Sequence, residues 1–216
     1  GGITVDASNA GVVLDGSGAP PDTAGLVIVS NGNVVQGLQI VRFPQEGMQV
    51  AGGASGNRIG GDRTVGGGPT GQGNRFSGNG NSGLAIFDGA TENVVVGNLI
   101  GTDVTGRVAA GNYHGITISS DGNRIGGTSA GERNLVSGNL HFGVDLTGRY
   151  NLVIGNWVGL DVDGTGALGN GEDGIWVGGA FNQVGGLEPG QRNVVSGNRA
   201  GGFNLIRARS NLIVGN

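Results

Sequence analysis

The chain has 216 residues, a formal net charge of −4, 51 glycines, five prolines and no cysteine. That length makes one domain the default, and the missing cysteine excludes disulfides and thiolate metal sites. The twelve cationic side chains are all arginines and form no run, which argues against sequence-independent binding to nucleic acid.

Glycine on this scale without order would read as low complexity. Here the glycines recur beside Val, Ile and Leu at fixed offsets, so apolar surface can be buried repeatedly while Gly and Asn take the corners. No apolar run is long enough to span a membrane, and no charged, apolar, small-residue leader is present. A start at Gly1-Gly2 rather than Met is expected of a processed or excised piece.

In chain order, residues 1–18 read as an incomplete first lap with short strands at Ile3-Thr-Val5 and Val12-Val-Leu14. From there three series repeat. A glycine-led strand recurs as Gly25-Leu-Val-Ile, Gly47-Met-Gln-Val, Gly83-Leu-Ala-Ile, Gly115-Ile-Thr-Ile, Gly143-Val-Asp-Leu, Gly174-Ile-Trp-Val and Gly202-Phe-Asn-Leu. An Asn-led strand recurs at Asn33, Asn57, Asn93, Asn123, Asn151, Asn182 and Asn211, and a third series runs through Ile40, Phe76, Ile100, Val136, Val158 and Val195. Gly83 to Gly143 is 60 residues and Gly143 to Gly202 is 59, so the unit is a pair of alternating laps. One kind carries a Gly-x-Asp loop (Gly101-Thr-Asp103, Gly159-Leu-Asp161); the other carries a Gly-Gly excursion (residues 128–133 and 187–192).

Strands of three to five residues with period-two alternation, glycine corners and no helical periodicity require successive laps to stack strand on strand. The expectation is an all-β, right-handed parallel β-helix spanning 1–216 as one domain, with about seven coils and three strands per coil. One inward stack should comprise Ile28, Val50, Ile86, Ile118, Leu146, Val177 and Leu205, and another Val35, Ile59, Val95, Ile125, Val153, Val184 and Ile213. The repeated asparagines are expected to bond to backbone at the bends. Outward positions of the Asn-led strands alternate between apolar (Val94, Val96, Leu152, Ile154, Leu212, Val214) and polar (Arg58, Arg124, Gln183), so either the excursion loops or another molecule should cover them.

The segments NRIGG, NLVSGN and NVVVGNLIGTD resemble the right-handed parallel β-helix of the pectate-lyase-like superfamily, in particular the tandem β-helix regions of large secreted or surface bacterial proteins, over residues 25–216. The resemblance implies an extracellular or cell-surface setting and polysaccharide chemistry or binding. The superfamily's catalytic arginine, calcium-carboxylate and aspartate groups find no matching residues in this chain.

Site residues are therefore sought on the glycine-led face, whose outward ladder reads Gln49, Ala85, Thr117, Asp145, Trp176 and Asn204. His114 and His141 precede two of these strands, so an acid, imidazoles and an indole converge around Asp145. The expected ligand-binding set is Thr117, Asp145, Trp176, Asn204, His114 and His141, with Trp176 stacking on a sugar ring. Asp145 and His141 are the candidate catalytic pair, with Glu172 or Asp173 as second carboxylate, should the chain be a lyase, epimerase or hydrolase. The leading expectation is a non-catalytic scaffold. No cofactor is called for; Asp161 and Asp163 are the candidate calcium ligands, weighed against an Asx-type turn. The expected partners are polysaccharide or further copies of the chain. Because the sequence begins and stops partway through laps, it is expected to be a segment of a larger protein or a subunit that stacks end to end.

Overall fold

The structure, a computed structural model, describes residues 2–216. Three parallel sheets run the length of the molecule, one with eight strands and two with seven, each adding one short strand per lap. The Asn-led sheet begins at Thr4–Asp6 and ends at Leu212–Val214; the third sheet runs from Val13–Asp15 to Val194–Val195; the glycine-led sheet runs from Leu26–Ile28 to Phe203–Leu205. This is a parallel β-helix of about seven coils, some 34 Å tall at about 4.8 Å per lap. The single helical element among the described residues is a 3-10 turn at Pro189–Gln191, inside the second excursion.

Register follows the inward stacks. Ile28 pairs with Val50, Val50 with Ile86, Ile86 with Ile118, Ile118 with Leu146, Leu146 with Val177 and Val177 with Leu205. The second stack is equally regular from Val35 to Ile213. A further inward column, Met48, Leu84, Ile116, Val144 and Ile175, comes from the first apolar residue after each leading glycine, and all five side chains are fully buried. Each lap's core is thus only a few side chains wide, and the laps above and below complete its burial.

Asparagine ladders hold the three corners. Asn33, Asn57, Asn93, Asn123, Asn151, Asn182 and Asn211 stack so that each backbone N–H donates to the Oδ1 of the next, at 2.8–3.0 Å. Asn74, Asn98, Asn134, Asn156, Asn193 and Asn216 form a second column, and Asn79, Asn112, Asn139, Asn170 and Asn198 a third. An amide suits this role because it accepts and donates at once: Oδ1 takes the N–H from one lap while Nδ2 reaches a carbonyl or the next Oδ1. Just before the first ladder every lap needs a left-handed residue. Gly32, Gly56 and Gly122 supply it in three laps, and Glu92, Tyr150, Phe181 and Ser210 adopt φ of 52–59° in the others.

The excursion loops cover part of the Asn-led face. Glu132 O accepts the Gly97 N–H at 2.8 Å and Gln191 O accepts the Gly155 N–H at 3.1 Å, beside the buried Val96 and Ile154. The Glu132 carboxylate accepts a hydrogen bond from Arg58 Nη2 at 3.0 Å, two laps away. Arg63, half-buried, donates to Arg133 O, and desolvation lowers its pKa to about 10.

Candidate functional site

The outward ladder of the glycine-led sheet forms in the expected order, Gln49, Ala85, Thr117, Asp145, Trp176 and Asn204 pairing lap by lap. Part of it opens into a trough of about 390 Å³ that also takes in Glu46, Asn81, Ser82, His114 and Phe87. The trough spans four laps, from Glu46 to Asp145. Six of its nine lining residues carry a hydroxyl, amide or carboxylate, and no arginine is among them.

Within the trough the polar groups are already oriented. Glu46 accepts from Gln49 Nε2 and from Asn81 Nδ2, both at 2.7 Å. Ser82 Oγ and Thr117 Oγ1 share a 2.7 Å hydrogen bond between adjacent laps. Asp145 differs: its Oδ1 is buried with no hydrogen-bond partner among the described residues. Burial raises its pKa above the usual carboxylate value, opposed in part by nearby His141.

An aromatic cluster adjoins the trough through His114. His114 and His141 meet edge to face at 4.9 Å, Tyr113 stacks on His141 at 5.2 Å, and Phe142 contacts both His141 and, at 5.9 Å, Trp176. The residues come together because Tyr113, His141 and Glu172 occupy the same corner position in successive laps, linked by backbone bonds of 2.8 and 3.2 Å. Burial, with the neighbouring His141 charge, lowers the His114 pKa to about 4, so its imidazole is neutral at pH 7. His141 Nε2 lies 4.0 Å from a Glu172 carboxylate oxygen.

Of the six ligand-binding residues expected from sequence, the trough brings together Thr117, Asp145 and His114. The other three lie beside it. His141 stacks on Tyr113 and meets Phe142 edge to face. Asn204 donates to Asp173 Oδ2 at 2.7 Å, which occupies both. Trp176 packs on Phe142 and lies across Gly178, where a Cβ would stand 2.4 Å from its Cη2. The Gly-x-Asp loop covers Trp157, which also carries Arg133 over its ring at 4.2 Å.

The trough thus extends away from Trp176 toward Glu46, Asn81 and Ser82. These were missed because Glu46 precedes its strand and Ser82 opens one, both ahead of the leading glycine from which the outward ladder was counted; their position one residue before that glycine is the signal that could have found them.

In the Asp161 loop Oδ1 accepts the Thr165 N–H at 3.1 Å, and backbone N–H groups, that of Gly166 foremost, lower the carboxyl pKa. Asp163 is ion-paired with Arg107 of the preceding Gly-x-Asp loop. No helix among the described residues is long and apolar enough to cross a membrane. No family model, curated protein or solved structure matches the chain.

Proposed function

We propose that this β-helix is a non-catalytic scaffold segment of a secreted or cell-surface protein whose glycine-led face holds an uncharged carbohydrate chain. The observation that carries the reading is the four-lap trough. Laps repeat at about 4.8 Å, close to the length of one pyranose unit, so consecutive sugars running along the axis meet equivalent positions of consecutive laps. Thr117, Ser82, Asn81 and Glu46 offer hydroxyl, amide and carboxylate partners to sugar hydroxyls, and Phe87 offers an apolar surface to a C–H face. Glu46 and Asp145 bring negative charge and no arginine answers it, which disfavours uronate chains here. The resemblance to pectate-lyase-like β-helices supports the extracellular setting.

The test is calorimetric titration with a panel of neutral and uronate-containing oligosaccharides. Neutral chains should bind, and Thr117→Val and Asp145→Asn should weaken them about tenfold each, the loss expected for a hydrogen bond to a buried polar group. Equal affinity of uronate chains, or indifference to both substitutions, would overturn the reading.

One observation favours a second reading as a polysaccharide hydrolase, lyase or epimerase: a carboxyl of raised pKa beside two imidazoles resembles a proton-transfer group. The other trough carboxylate, Glu46, lies three laps from Asp145, about 14 Å along the axis. That exceeds the roughly 5–9.5 Å needed by paired carboxylates in glycoside hydrolysis. Turnover of any panel member, lost in Asp145→Asn with binding retained, would establish this second reading.

A further inference from the structure

At the corner between the glycine-led and Asn-led sheets, Arg149, Arg207 and Arg209 meet around a pocket of about 230 Å³, floored by backbone from Gly178 to Ala180 and edged by Thr147. Arg42, Arg58 and Arg107 each have a carboxylate partner, but these three arginines have none among the described residues. Asp121, one lap from Ala180's neighbour Arg149, spends its Oδ1 on the Arg149 backbone N–H at 2.7 Å.

The lap geometry gathers the charges. Ala180 bridges to Arg149 on one side and to Arg209 on the other, so the two arginines stand two lap spacings apart, about 9.6 Å. Two long side chains can close that gap onto a single small group. Arg207 arrives by a different device. Leu205 to Asn211 is six residues where Val177 to Asn182 is five, and the longer corner places Arg207 at a left-handed φ of 59°. An L side chain rarely adopts this conformation, and here it puts a third guanidinium at the same pocket.

We propose that this corner is a binding site for a tetrahedral oxyanion, a sulfate or phosphate group. Two of the three floor N–H groups are already spent, because those of Gly178 and Gly179 both donate to Leu146 O, at 2.9 and 3.1 Å. Recognition therefore falls to the guanidinium groups. Three planar forks carry more donors than the two oxygens of a carboxylate accept, whereas a tetrahedral anion presents oxygens in separate directions, enough for each fork. The site lies on a different corner from the trough and does not depend on what the trough binds.

The experiment is calorimetric titration at low salt with four probes: inorganic phosphate, inorganic sulfate, a sulfated oligosaccharide and the same oligosaccharide desulfated. The first three should bind at this corner, and any binding of the fourth should fall at the trough and be indifferent to loss of the corner arginines. Tighter binding of the sulfated oligosaccharide than of the free ions would identify a sugar ester as the source, and the reverse a free ion; both support the site. Arg149→Gln, Arg207→Gln and Arg209→Gln should each weaken binding about tenfold or more, as expected for loss of a charge-assisted hydrogen bond. The exposed Arg192→Gln and Arg199→Gln should leave it unchanged. Circular dichroism identical to the parent secures the comparison. Absence of binding by all three anions, binding of the desulfated chain that is lost with the three arginines, or equal weakening by the two control substitutions would each overturn the proposal.

Discussion

Replacing Asn93 by alanine tests whether the corner ladders hold the laps together. Its Oδ1 accepts the Asn57 backbone N–H at 3.0 Å and Asn57 Nδ2 at 2.8 Å, and its own Nδ2 donates to Ala54 O and to Asn123 Oδ1, both at 3.0 Å. Ala54 O keeps a bond from the Thr91 N–H, and Asn123 Oδ1 keeps the Asn93 backbone N–H, so neither acceptor is orphaned. The two Asn57 donors are, and Asn57 is 1% exposed. At about 1–3 kcal/mol for each buried unsatisfied group, Asn93→Ala should destabilise by about 2–6 kcal/mol. Urea unfolding monitored by circular dichroism, with unchanged slope, is the assay. Asn211→Ala supplies the contrast, because its column neighbour Asn182 loses a single backbone partner and Asn211 itself is only partly buried. A loss below about 1 kcal/mol for Asn93→Ala would show that water or a local shift satisfies the donors, and the argument from the ladder would fail.

Gly122 has φ of 70° and open space where a Cβ would go, so Gly122→Ala should cost only the backbone term, about 1–2 kcal/mol. Gly126 has φ of 95° and its Cβ would stand 1.8 Å from Ile154 O, so Gly126→Ala should cost distinctly more in the same urea titration. His114 has a folded-state pKa lowered to about 4. Between pH 6.5 and 4 the unfolded chain therefore binds the proton first, and stability falls as pH falls through that window, by about 1–2 kcal/mol after solvent screening. His114→Gln should remove that component from a pH series of unfolding curves. Asp145 has the opposite sign, since its raised folded-state pKa means that stability declines as pH rises from the unfolded carboxyl value through the folded one. Asp145→Asn should leave stability at pH 7 equal or higher by about 1 kcal/mol; a clear loss would indicate that the ionised carboxylate has a favourable partner.

The architecture was legible in the sequence because a solenoid is local in one dimension: each lap repeats the same spacing of glycine, apolar residue and asparagine, and stacking converts equal spacing into equal position. The inward stacks from Ile28 to Leu205 and from Val35 to Ile213, the outward ladder from Gln49 to Asn204 and the structural role of the asparagines all follow from this periodicity. What periodicity does not carry is where the chain goes at corners, since corner lengths vary from lap to lap and a change of one residue redirects a side chain. The tertiary structure alone decided that Trp176 packs on Phe142, that Asn204 is held by Asp173, and that Glu46 and Ser82 reach the trough. It also brought Arg149, more than fifty residues away in sequence, to Arg207 and Arg209 in one pocket. Their meeting depends on lap stacking and on a single extra corner residue, so the charge pattern along the chain shows the Arg207 and Arg209 pair but not that Arg149 joins it.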